Sequence, residues 1–111
     1  MKTERELIAM CLALMDNHSK LSSSEKSLAK AVQFVAIRPA QIASVRCAIA
    51  NGADPLGKAF TTIRSAAERR NVGAIYTPQP IVRSMLNWLS GQGAPARIID
   101  PGAGSGRFLI A

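Results

Sequence analysis

A chain of 111 residues, 48% of them hydrophobic, has room for one small domain with a packed core and is too apolar to be a disordered tail. Fourteen Lys and Arg against seven Asp and Glu give a formal charge of +7, which suits a polyanionic partner such as nucleic acid but says nothing about fold. No apolar run approaches the ~20 residues of a membrane span, and the N-terminus MKTERELIAM carries two acids where a signal peptide would be purely basic. The protein is therefore expected to be cytoplasmic, with no membrane partner. Cys11, Cys47 and the lone His18 lack the spacing of a zinc site or a disulfide framework, so no metal is expected. Both thiols read as small core residues, and His18 as a surface residue near a helix end.

In chain order, Leu7, Ile8, Cys11, Leu14 and Met15 recur at helical spacing within residues 3 to 16. The stretch SSSE at 22 to 25 has capping-box spacing, with Leu28, Val32 and Val35 continuing one face of a second helix. Pro39 suits a first helical turn; Ile42, Val45 and Ile49 follow at helical spacing, and Gly52 provides a left-handed stop. Asp54 reads as the N-cap of a fourth helix, with Pro55 at its first position and Leu56, Ala59, Phe60, Ile63 and Ala67 on one side, running to Asn71.

The composition changes at Gly73. In GAIYTPQP, Pro78 and Pro80 forbid a helix before them, after which Ile81, Val82, Met85, Leu86 and Leu89 form another apolar helical face ending near Gly91. GQGAP is a loop. Arg97 to Asp100 reads as a short strand, because neighbouring β-branched Ile98 and Ile99 suit a strand covered on both faces. The fold class expected is thus mostly α with one short β-strand: a helical N-terminal region, 1–72, leading into a second unit over 73–111. One strand makes no sheet, so Ile98 and Ile99 need the helices, or another chain, to cover them.

The chemistry concentrates at DPGAGSGRF, residues 100 to 108. Glycines at 102, 104 and 106 let the backbone approach a ligand without a Cβ in the way, and they accept φ angles other residues resist. The spacing is not the G-x-G-x-x-G dinucleotide fingerprint, and no Lys-Ser or Lys-Thr follows to make a Walker A loop. Asp100, immediately before the glycines, would repel a pyrophosphate and attract an ammonium. The loop therefore favours a cofactor with a cationic amino-acid end.

Residues 100 to 108 resemble the first motif of the class I S-adenosylmethionine-dependent methyltransferases. GAIYTPQPIV, residues 73 to 82, is similar to the N-terminal motif of the adenine-N6 DNA methyltransferases of restriction-modification systems, and the segment from Asp54 to Gly73 is similar to the helix that leads into it. The resemblance covers residues 54 to 111 and hardly touches 1 to 53. It implies a Rossmann-like α/β methyltransferase sheet beginning in 73–111, S-adenosylmethionine as cofactor and double-stranded DNA as substrate, with a specificity subunit or fused domain as a further partner. Cofactor-binding roles fall on Tyr76, Thr77 and Pro78, closing over the methionine carboxylate, and on Asp100, Pro101, Gly102, Ala103, Gly104, Ser105 and Gly106, holding its amino end and packing against it. Gly102 and Ala103 stand where many members have Ala-Cys, a small-for-small change. The family's ribose-binding acid and its catalytic Asn/Asp-Pro-Pro-aromatic motif have no match here, since no Pro-Pro dipeptide occurs. No residue of the chain is expected to be catalytic, and the chain reads as a truncated, inactive N-terminal piece of such an enzyme.

Other readings stand beside these. Tyr76 suits a packed aromatic at the start of a helix as well as a ligand contact. Trp88 and Phe108 suit core or interface. Arg64, Arg69 and Arg70 suit a solvated face better than phosphate contacts. The alternative function is a helical module in which residues 1 to 72 bind DNA or a partner subunit and the glycine loop is inert.

Overall fold

The computed structural model describes residues 1–111 as seven helices and no strand: α1 Glu4–Leu14, α2 Ser23–Ala31, α3 Pro39–Ala50, α4 Pro55–Ile63, α5 Ala66–Asn71, α6 Gln79–Ser90 and α7 Arg107–Ile110. The mostly helical expectation is met. The helix starts follow local chemistry. Thr3 caps α1, its hydroxyl accepting from the Glu6 amide at 3.2 Å. Ser22 and Glu25 form the expected reciprocal box at α2. Asp54 caps α4 through the Gly57 amide at 2.7 Å. Gly52, at φ 74°, ends α3 as expected: the Ala53 amide donates to the Ala48 carbonyl and the Gly52 amide to that of Ile49, the Schellman arrangement. At the far end of α1, exposed His18 donates from Nε2 to the Leu12 carbonyl at 2.9 Å, and Arg46 donates to that of Leu14 at 3.1 Å.

Helix α1 packs against α2, α3 and α4, α3 packs against α4, and α6 packs against α7. The core is thin. Only Leu7, Ala9, Met10, Val32, Gly57 and Val82 are buried, with Met10 and Val82 the two large side chains fully enclosed. The radius of gyration, 15.4 Å, exceeds the ~13 Å of a compact domain of this length.

Four expectations are corrected. The fourth helix does not run to Asn71. It breaks at Arg64, because Ser65 and Glu68 make a second capping box that starts α5 afresh; hydrogen bonds from Ser65 hold the Glu68 carboxyl below its ordinary range. Helix α2 stops at Ala31, leaving Val32 to be buried from a turn whose Val35 amide bonds the Val32 carbonyl at 2.9 Å. Cys47 is exposed, whereas Cys11 is partly buried. Most important for the site, Arg97 to Asp100 is not a strand. Nothing pairs with it, and the helices leave Ile98 and Ile99 64% and 85% exposed; a strand without a neighbour has no ladder to define it.

Candidate cofactor site

Two elements far apart in sequence meet at the glycine loop. Asp100 opens it as a turn in which its Oδ1 accepts from the Gly102 amide at 3.1 Å, while the second oxygen takes no hydrogen bond from the chain. Pro101 and Gly102 are exposed, Ala103 is partly buried, and the Gly106 amide closes the next turn on the Ala103 carbonyl at 2.7 Å. Gly104 and Gly106 hold φ of 56° and 79°, the left-handed region that favours glycine. Gly106 serves as N-cap of α7. Between these turns the amides of Ala103, Gly104 and Ser105 donate to nothing in the protein.

The Tyr76-Thr77-Pro78 element forms the wall behind this loop. A Cβ added at Gly104 would lie 2.8 Å from Tyr76 Cε1 and 3.2 Å from Cδ1, so the loop backbone rests on the tyrosine ring itself. The ring is held from its other sides by Phe60, with centroids 5.9 Å apart at 51°, and by the Arg107 guanidinium, 5.4 Å from its centre. Burial pushes the Tyr76 hydroxyl above its ordinary pKa, the charge of Asp54 adding to this and that of Arg107 opposing it. Pro78 caps α6 and stays exposed; Thr77 is partly buried. Tyr76 is thus a packed aromatic, and its packing partners include the backbone of the glycine loop.

Three further residues complete the arrangement. Asp54 Oδ2 accepts from Ser105 Oγ at 2.6 Å and from Arg107 Nε at 2.9 Å, with Arg107 Nη2 at 2.8 Å, while Arg107 Nη1 donates to the Thr77 carbonyl at 2.7 Å. The side chains of Asp54 and Arg107 are only 4% and 16% exposed. Gly57 is needed beneath them, because a Cβ there would collide with Asp54 Oδ2 and lie 2.6 Å from Ser105 Oγ. In the sequence Asp54 shows only as a helix cap, and no motif assigns a role to Arg107 or Gly57. Their one sequence signal is position: Gly57 three residues after an N-cap Asp, Arg107 directly after the third glycine.

The loop offers one anionic acceptor and a set of free donors side by side. A carboxylate oxygen without a partner complements an ammonium, and neighbouring unpaired amides complement a carboxylate. The other candidates lie elsewhere. Arg64 is engaged by Glu4 at 2.7 and 2.8 Å and by Glu68 at 3.7 Å, Arg69 donates to the Arg64 carbonyl, and Arg70 is exposed. Trp88, 69% exposed, lines with Met85, Leu89 and Phe108 an apolar groove of about 550 Å³ on α6. A cavity of about 310 Å³ is lined by Asp54 and Arg107 together with Lys58 and Arg83. No helix is long and apolar enough to cross a membrane.

Residues 52–111 match the family model described as N-6 DNA Methylase. Over its whole length, in an alignment of 115 residues, the chain is 47% identical to the Type II methyltransferase M.XamI of Xanthomonas campestris pv. amaranthicola. That similarity includes residues 1–53, and the chain spans 21% of the relative's length. No solved structure matches.

Proposed function

Because the chain belongs to the N-6 DNA methylase family, we propose that it carries the first cofactor motifs of a site-specific DNA adenine-N6 methyltransferase that uses S-adenosylmethionine. One observation carries the reading: the half-paired carboxylate of Asp100 stands at the start of a loop whose Ala103, Gly104 and Ser105 amides are unpaired and whose backbone rests on Tyr76. When bound, the cofactor supplies an electrophilic methyl group. The chain's own residues orient it. Asp100 takes the ammonium by a charge-assisted hydrogen bond, and the loop amides with Thr77 take the carboxylate. Gly104 and Gly106 give the loop its left-handed turns, Gly104 lets the backbone lie against the Tyr76 ring, Pro101 stiffens the turn, and Tyr76 backs the loop.

In this reading residues 73–111 begin the methyltransferase domain. Residues 1–72 form a helical region before it. The substrate is double-stranded DNA, met in the cytoplasm, and a specificity subunit or fused domain supplies further contacts. The target adenine must leave the base stack to be methylated, and no residue of 1–111 matches the pocket that would hold it. Residues 1–111 alone are accordingly inactive.

Tritium transfer tests this. Incubated with tritiated S-adenosylmethionine and mixed-sequence DNA, the intact protein that carries residues 1–111 should leave its label in N6-methyladenine after digestion, and residues 1–111 alone should leave none. Label in cytosine, or no label from the intact protein, would overturn the proposal.

A further inference from the structure

The Asp54 carboxylate divides its work between its two oxygens. Oδ1 caps α4 through the Gly57 amide at 2.7 Å. Oδ2 reaches 51 and 53 residues along the chain to Ser105 and Arg107. Arg107 uses all three of its nitrogens: Nε and Nη2 on Asp54, and Nη1 on the Thr77 carbonyl. A guanidinium fixed on three sides cannot rotate without breaking a bond to one of them. A single buried pair thus joins the start of α4, the Tyr76-Thr77-Pro78 element and the glycine loop.

We infer that Asp54 is a positioning residue for the cofactor: through Ser105 and Arg107 it sets the spacing between Thr77 and the amides of residues 103 to 105, and so the fit for the amino-acid end of the ligand. The inference rests on the cofactor reading above. Without the pair, neither Thr77 nor Ser105 has another side-chain bond fixing it to the opposite element, and the ring of Tyr76 loses the cation beside it. Loose placement lowers affinity by lowering the population of the binding-competent loop.

The two oxygens make the effect separable from helix capping. Asp54→Asn keeps an acceptor for the Gly57 amide but presents N–H groups, or an uncharged oxygen, to Arg107. Arg107→Lys keeps the charge but cannot hold Asp54 and Thr77 together. Calorimetry on the intact protein should show S-adenosylmethionine weakened about tenfold to a hundredfold by Asp54→Asn and about tenfold by Arg107→Lys. 5′-Methylthioadenosine, which lacks the amino-acid end, should bind both variants within about twofold of the parent. Circular dichroism confirms that the variants keep their helices. Equal losses for both ligands would mean a merely structural role and would overturn the inference, as would no loss for either. If the parent protein binds 5′-methylthioadenosine and S-adenosylmethionine but the variants match it, only the inference falls. A parent that binds neither removes the cofactor reading and this inference with it.

Discussion

Replacing Gly104 by Ala separates two physical costs that the loop imposes. The first is backbone strain, since Gly104 sits at φ 56°, where a residue with a Cβ is worse off by ~1–2 kcal/mol. The second is steric: the new methyl would stand 2.8 Å from Tyr76 Cε1, and overpacking of this kind costs ~1–3 kcal/mol. The ring cannot easily yield, because Phe60 and Arg107 hold it on other sides. Gly106 supplies the control. It has φ 79° but nothing within 4 Å of its added Cβ, so Gly106→Ala carries strain alone. With ~1.4 kcal/mol per factor of ten, calorimetry on the intact protein should show S-adenosylmethionine affinity falling about tenfold in Gly106→Ala and about a hundredfold or more in Gly104→Ala. In a Tyr76→Ala background the steric part disappears, and Gly104→Ala should then cost about what Gly106→Ala costs, a coupling that a double-mutant cycle reads directly. Equal effects of the two glycine substitutions with Tyr76 present would refute the claim that this ring is the wall on which the loop rests.

Asp100→Asn retains the oxygen that bonds the Gly102 amide and should weaken S-adenosylmethionine by roughly tenfold to a hundredfold, with a much smaller loss for an analogue lacking the amino group; equal losses would make Asp100 a shaper of the loop only. Met10, fully enclosed by α1 and its neighbours, should cost about 2–5 kcal/mol when cut to Ala, read as a lowered denaturation midpoint of the helical region. Exposed Cys47 should react with a maleimide first at neutral pH. Cys11, whose pKa burial raises above its ordinary 9.0, should lag until the pH passes that value. The sign for stability follows from the same shift. The native state holds the Cys11 proton more tightly than the unfolded chain, so its contribution is full below pH 9.0 and is lost as the pH rises towards the native pKa. Cys11→Ala should flatten that alkaline slope.

Most helix starts were legible because first-turn chemistry is local: Ser22 and Glu25 make the box at α2, Pro39 stands at the first position of α3, and Asp54 caps α4 just before Pro55. The break at Ser65 was legible by the same rule, since Ser65 and Glu68 repeat the spacing of Ser22 and Glu25; the apolar periodicity through Ala67 obscured it. Ile98 and Ile99 show the opposite limit. Their β-branched pattern describes a preference, but a strand is a relation between two segments, and no second segment lies beside them. The glycine loop and the Tyr76-Thr77-Pro78 element could be picked out in sequence because glycine and proline restrict the backbone wherever they stand. That the two touch, and that Arg107 joins them to Asp54, depends on a path of 53 residues that no local pattern encodes.

That path also explains which forces set the geometry of the site. Around the loop apolar burial is scarce: Ile81, Met85 and Trp88 on α6 are exposed, as are Ile98 and Ile99 before the loop, and Val82 is the one fully enclosed side chain in this half. Hydrophobic contact is non-directional and here covers little area, so it cannot fix the loop to a few tenths of an ångström. The Asp54–Arg107 pair can, because charge-assisted hydrogen bonds at 2.8–2.9 Å between largely buried side chains are both strong and angular. Such a pair adds little net stability over a well-packed apolar substitute, yet removing one member leaves the other buried without a partner. If the pair acts in placement, as inferred above, its removal has a distinct signature. Binding affinity should therefore respond to these residues more steeply than helix content does, whereas substitutions in the α1 core should do the reverse.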